Sequence, residues 1–203
     1  MRPVNRTYTP TTLNASGFAL NVTGAVWALT ANTVGDGVAH QVTIKNNSAT
    51  DHSAKTAVIT GNNADGATQT ETINLPAGTA TTTSALYFLT VTSVVPSATI
   101  GADTMNLGWN NLIATPMVVC DPYRQSAPRL TVEVTGTINF TGQECYDDPF
   151  VQGVVPAWFT ITALSGKTAN TSTDADGGIT GFRVITASFT AGATLKVGVL
   201  TRR

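Results

Sequence analysis

The chain has 203 residues, 11 Lys or Arg against 12 Asp or Glu, and 11% charged residues in all, under half of the usual quarter. A formal net charge of −1, with no basic run long enough to follow a phosphate backbone, argues against sequence-specific nucleic-acid binding. Hydrophobic residues at 42% are near normal, whereas disordered chains join low hydrophobicity to high net charge.

Threonine is the commonest residue, and with Val it suits a pleated, half-buried surface. Residues 1–24 are polar and Thr-rich and read as an N-terminal arm or an irregular first strand, with Arg2 and Arg6 as ordinary charged residues near one end and Arg202-Arg203 at the other. No continuous apolar run resembles a signal peptide and none is long enough for a transmembrane helix, so the expectation is folding in a cytoplasm with no membrane partner. Val26-Trp27-Ala28-Leu29 is a short apolar run before the turn Gly35-Asp36-Gly37. Val38, His40, Val42 and Ile44 then alternate onto one face. Thr56–Thr60 and Thr68–Leu75 are predicted strands, joined by the turn signal Asn62-Asn63-Ala64-Asp65-Gly66. Pro76-Ala77-Gly78 closes the second of them.

Leu86–Val95 reads as one long apolar strand, and Thr104–Trp109 completes a first unit. Between Asn110 and Pro128 the pattern breaks, with Pro116, Pro122 and Pro128 spaced through it and Met117–Cys120 as a short strand at most. Leu130–Phe140 alternates again, with Gly136 as an expected bulge. Ala157–Leu164, Gly181–Ser188 and Thr194–Leu200 are the remaining predicted strands, with a polar loop over 167–178. The C-terminal pair echoes the earlier one. Aligning Phe88 with Phe182 pairs Val91 with Ile185 and Val95 with Phe189, and Met105–Trp109 matches Leu195–Val199. The expected fold is all-β, an antiparallel β-sandwich or jelly-roll-like architecture of two tandem related sandwiches. The expected divisions are an arm at 1–24, a sandwich at 25–110, a Pro-containing crossover or linker at 111–128, and a second sandwich at 129–203.

Catalytic material is thin. His40 and His52 have only Asp51 close by in sequence and read as surface or sheet-edge histidines. Glu144, Asp147 and Asp148 form the densest acidic cluster, and Asp147-Asp148-Pro149 reads as loop chemistry. Thr173–Gly178 opens like a calcium loop but lacks the later ligands, so a hairpin tip is expected. Cys120 and Cys145 read as reduced, partly buried thiols. Trp27, Trp109 and Trp158 are spread one per region and read as core or interface residues. The sequons at Asn14, Asn21, Asn46, Asn139 and Asn170 follow from the abundance of Asn and Thr. No nucleophile elbow, phosphate-cradling loop or dinucleotide fingerprint occurs. No catalytic, cofactor-binding or metal residue is assigned, and no enzymatic activity or cofactor is expected.

The succession Val58–Thr60, Asp65-Gly66, Glu71–Leu75, Phe88–Val95 and Leu107-Gly108 resembles β-rich structural proteins of tailed bacteriophages, and Leu130–Leu200 is similar to the same class. The resemblance implies a homo-oligomeric virion structural protein, assembled in the host cytoplasm at the head–tail junction or tail. Its partners would be copies of itself and connector, tail or capsid proteins. The alternatives are a capsid decoration (cement) protein and a receptor- or glycan-binding β-module.

Overall fold

The structure, a computed structural model, describes residues 4–120, 127–148, 156–175 and 178–200. Among them the regular elements are β-strands and one 3-10 turn at Thr162–Leu164. The expected all-β sandwich character is what is observed. The chain divides into two units, one continuous (Thr12–Asn111) and one made of Met1–Thr11 together with Leu112–Arg203. The first is an insertion within the second.

The split unit begins with β1 (Val4–Tyr8). The inserted unit then contributes β2 (Asn14–Val22), β3 (Ala39–Asn46), β4 (Thr56–Asn62), β5 (Thr68–Asn74), β6 (Thr81–Phe88), β7 (Thr90–Pro96) and most of β8 (Met105–Ala114). One of its sheets has the order β2-β8-β3-β6 and the other β5-β4-β7. Bridges from Trp27 to Val94 and from Thr33 to Thr90 lay the segment between them along the free side of β7. Alternation within each strand sends one set of side chains inward. Val42 and Ile44 from one sheet meet Ile59, Val91 and Val94 from the other, with Phe18, Phe88, Met105 and Leu107 completing a dry core.

The split unit resumes with the last residues of β8, where Ala114 pairs with Ile185. It continues through β9 (Val118–Val119), β10 (Arg129–Thr135), β11 (Ile138–Cys145), β12 (Phe159–Thr160), β13 (Thr171–Asp174), β14 (Gly181–Phe189) and β15 (Thr194–Leu200). Its pairings give β1-β15-β10-β13 in one sheet and β12-β11-β14-β9 in the other. Leu130, Val132, Leu195 and Val197 of the first, and Ile138, Phe140, Phe182 and Val184 of the second, are all fully buried.

The two units share one strand order. In each, the first strand lies beside the last, the last beside the third, and the third beside the sixth. The opposite sheet runs fifth, fourth, seventh, with the second position on the seventh strand's other side. That second position is β9 in the split unit and the Trp27–Thr33 segment in the inserted one. This is the strand order of a jelly roll.

The chain boundaries differ from those expected. Residues 1–24 hold two strands of different units. β1 pairs along its whole length with β15, Val4 opposite Val199 and Tyr8 opposite Leu195, and β2 pairs with β8. Their polarity reads as an arm because β1 is an edge strand whose central residues stay exposed. Residues 111–128 begin inside β8 and include β9, so the expected linker carries two paired stretches. Pro122 and Pro149 fall outside the described residues, as do Arg2 and Arg202-Arg203.

Two predicted strands are each broken at a crossing between sheets. Leu86–Val95 divides at Leu89, with β6 on β3 and β7 on β4. Buried Phe88 and Val91 are three residues apart, which a single strand with a period of two cannot bury on one face. Leu130–Phe140 divides at Gly136, whose φ of 78° makes a turn where a bulge was expected. β10 then pairs with β15, and β11 with β14. Ala157–Leu164 is likewise only the two-residue β12 followed by the 3-10 turn.

The repeat is real in topology but out of phase in its first half. β7 meets β4 with a register shift that leaves Thr92 unpaired, and β14 meets β11 with one that leaves Ala187 unpaired. Superposing those bulges aligns Val91 with Thr186 and Val94 with Phe189, each pair buried. The sequence echo matches Val91 with Ile185 instead, one residue away, and a one-residue slip exchanges the two faces of a strand. Met105, Leu107 and Trp109 do match Leu195, Val197 and Val199 face for face, all buried.

One open flank of the inserted sandwich is closed by side chains. Glu71 of β5 accepts from the backbone N–H of Ala85 at 2.7 Å and of Leu86 at 2.8 Å, and Gln69 donates to the carbonyl of Tyr87 at 2.7 Å. Ser84 bridges the same stretch, accepting from Val42 N–H and donating to Leu86 O, each at 2.8 Å. The edge of β6 is thereby occupied and unavailable to a foreign strand. Because a charged acceptor satisfies two backbone donors, Glu71→Ala should lower unfolding stability by about 2–4 kcal/mol. Chemical denaturation of the full chain measures this. A loss near zero would show that solvent replaces the carboxylate without cost.

Candidate functional site

Both histidines are buried, contrary to the surface or sheet-edge expectation. His40 of β3 is fully enclosed, with its Nε2 2.8 Å from Asp36 Oδ2 and its Nδ1 3.1 Å from the carbonyl oxygen of Asn110. Asp36 is delivered by a turn in which Gly35 and Gly37 both take positive φ. The ring meets the edge of Trp109, and the Trp109 indole N–H donates to Thr12 O at 3.0 Å. Gly17 lies under that indole, and a β-carbon there would collide with it. The group is a packed polar plug with both imidazole nitrogens engaged.

His52 sits in the loop after β3. Its Nε2 donates to Asp103 Oδ2 at 2.9 Å, and its Nδ1 accepts from Lys55 Nζ at 3.3 Å. Lys55 also donates to Thr99 O at 2.8 Å. A carboxylate–imidazole pair of this kind activates a hydroxyl or thiol only when its far nitrogen faces one. Here that nitrogen faces an ammonium group, so the triad ends in a loop clamp. Hydrogen bonds from Ser48, Thr50 and His52, in that order, hold the Asp103 carboxyl below its usual pKa.

Cys120 and Cys145 are free and buried. Thr180 lies between them, its N–H donating to Cys145 O at 2.8 Å while its own carbonyl accepts from Cys120 N–H at 2.8 Å. Two strand spacings, about 9–10 Å, therefore separate the two backbones, beyond the reach of a disulfide. Burial pushes the Cys120 thiol up to about 12. Neither thiol has an imidazole partner among the described residues.

Two of the three residues of the acidic cluster bond to backbone or side chain nearby in sequence. Asp147 Oδ2 accepts from the N–H of Ala157 at 2.6 Å, and Glu144 accepts from the Tyr146 hydroxyl at 3.0 Å. In the calcium-like stretch, Asp174 belongs to β13 and pairs with Arg129 at 3.4 Å, while Asp176-Gly177 falls outside the described residues. No group of three or more potential metal ligands occurs among the described residues.

Trp27 and Trp109 are core residues. Trp158 is half-buried, with the Arg183 guanidinium 4.1 Å from its ring centre, and Arg183 Nε donates to Gln143 at 2.9 Å. Tyr146 and Phe159 pack edge to face at 5.9 Å on the neighbouring β11–β12 edge, and about half of each is exposed. Sequence reasoning missed this strip and a second surface, the outward face of β5-β4-β7. The available signal for the second was the run Thr68-Gln-Thr70-Glu-Thr72, whose threonines all point outward. Comparison with protein-family models, curated proteins and solved structures finds no match.

Two outcomes follow from the buried groups. Cys120, protonated and enclosed, should react with a thiol reagent only as fast as the protein unfolds, which denaturant-dependent labelling measures. Fast labelling of the native chain at Cys120 would contradict its burial. The lowered pKa of Asp103 means that the unfolded chain binds a proton at this carboxyl where the native chain does not. Its stabilising effect is therefore complete above the ordinary value of 3.8 and is lost as pH falls through the lowered one. The Tm difference between wild type and Asp103→Asn should shrink as pH drops below 3.8. A pH-independent difference would remove the carboxylate from the account.

Proposed function

We propose that the protein is a non-enzymatic structural component of a tailed-bacteriophage virion. It assembles through β-rich surfaces at the head–tail junction or tail, with copies of itself and with other virion proteins as partners. The observation that carries this reading is the construction of the chain from two sandwiches of one strand order, with both histidines and the carboxylates of Asp36, Asp103 and Asp147 engaged in local hydrogen bonds and both thiols buried. Jelly rolls serve as capsid and lectin modules alike, so the fold supports the reading by analogy and the spent side chains supply the rest. A weakly charged Thr/Val surface suits burial against neighbours, because few ions must leave water.

A capsid decoration role uses the same chemistry and differs only in position, as small oligomers at local three-fold sites. A glycan-binding module is favoured by one observation, the exposed Tyr146–Phe159 pair beside Trp158, since aromatic rings are suited to stacking against sugars. The test is mass spectrometry of gradient-purified particles from cells producing the phage that encodes this chain, with labelled-antibody imaging of its position. The chain should be present in many copies per particle at the neck or tail. Its absence from purified particles would overturn the reading, and saturable glycan binding that is lost in Phe159→Ala would favour the second.

A further inference from the structure

The outward face of β5-β4-β7 differs from that of β15-β10-β13. In the split unit, the face of β15-β10-β13 carries cross-strand ion pairs, Lys196 with Glu133 at 3.1 Å and Arg129 with Asp174 at 3.4 Å, all four side chains substantially exposed. Such pairs contribute about 0–1 kcal/mol and mark a face that remains in water. On β5-β4-β7 the alternation turns Glu71 and Gln69 toward β6 and leaves only Thr, Val, Ser and Asn outward.

Its centre is a cross-strand row. Trp27 bridges to Val94, which sets Val26 beside Val95. Val95 in turn pairs with Val58, and Val58 with Thr72. Val26, Val95 and Val58 are 85%, 53% and 38% exposed. The next row is Thr70, Thr60 and Ser93. β-branched side chains have few rotamers to lose, so ordering them against a partner costs little entropy.

We infer that this face is a self-contact, the place where a second copy of the chain packs sheet to sheet about a two-fold axis. The occupant follows from charge. A two-fold interface brings each patch against itself, so any net charge on it repels its own copy. This face carries none, and it also lacks the charges that steer a different, oppositely charged partner. Area sets the strength. Strand spacing and rise give a face of about 15 by 20 Å, or roughly 300 Å² per copy, against about 800 Å² per partner in a stable complex. The contact is therefore weak for one pair and becomes significant when an assembly repeats it. The inference rests on the reading of the chain as a repeated assembly part.

The test is sedimentation equilibrium of the full chain from about 10 µM to about 1 mM, the range in which weak pairs form. The weight-average mass of the wild type should rise with concentration. In Val95→Lys, which puts like charges opposite each other across the axis, it should stay at the monomer value with unchanged Tm. Glu133→Lys, on the charged face, should associate as the wild type does. A wild type that stays monomeric throughout, or a Val95→Lys variant that associates equally, overturns the contact. If the chain is found in particles while Val95→Lys has no effect, the contact fails and the virion reading stands. If association depends on Val95 but the chain is absent from particles, the virion reading fails and the self-contact stands.

Discussion

Each sandwich depends on pairing its first strand with its last. In the split unit, five consecutive residues of β1 lie in register with β15, and in the inserted unit β2 crosses β8 through two register shifts. Without that pairing, the last strand becomes an edge and the four-stranded sheet shrinks to three strands, close to the minimum that holds together over an apolar face. The two units meet the constraint differently. β1 is short and regular. β2 bends around its partner, and the close approach demands glycine on both strands, Gly17 beneath Trp109 and Gly108 against the backbone of Asn14 and Ala15.

The remaining polar groups make sense as consequences of closing two sheets over one core. Loops that join sheets carry backbone groups into places where water cannot satisfy them, and side chains substitute. Glu71 and Gln69 do this at one flank, Asp147 at the loop after β11, and Asp36 with His40 beside Trp109. Every one of these residues has the chemistry of an active site and the geometry of a brace. Both nitrogens of each imidazole are held, by Asp36 and Asn110 at His40 and by Asp103 and Lys55 at His52.

Much of the fold was legible in the sequence. Val42 and Ile44, the Asn62–Gly66 turn and the alternation through Thr68–Asn74 announce strands of the observed register, and the duplication is visible in the final strand of each unit. What was hidden shares one cause. Leu89 and Gly136 are corners where the chain changes sheets, and a corner keeps apolar residues in sequence while changing the surface they cover. The eye then reads one long strand, and an alignment drawn through it slips by a residue. The edge strand β1 was hidden for a related reason, since with one neighbour and three exposed central residues it has the composition of an arm. The histidine braces were not legible at all, because Asp103 is 51 positions from His52 and only the fold brings them together.

The insertion of one jelly roll between the first and second strands of another has a consequence for the nascent chain. Residues 4–8 leave the ribosome long before their partners, residues 195–199. During that interval β1 has no strand partner, while the inserted unit has all of its strands available by residue 111 and closes its own first-to-last pairing. A folded insert shortens the effective loop that the final closure must span, because its hundred residues no longer behave as flexible chain. Completion of the split sandwich therefore waits until residues 195–199 have been made, whereas the inserted one can close earlier.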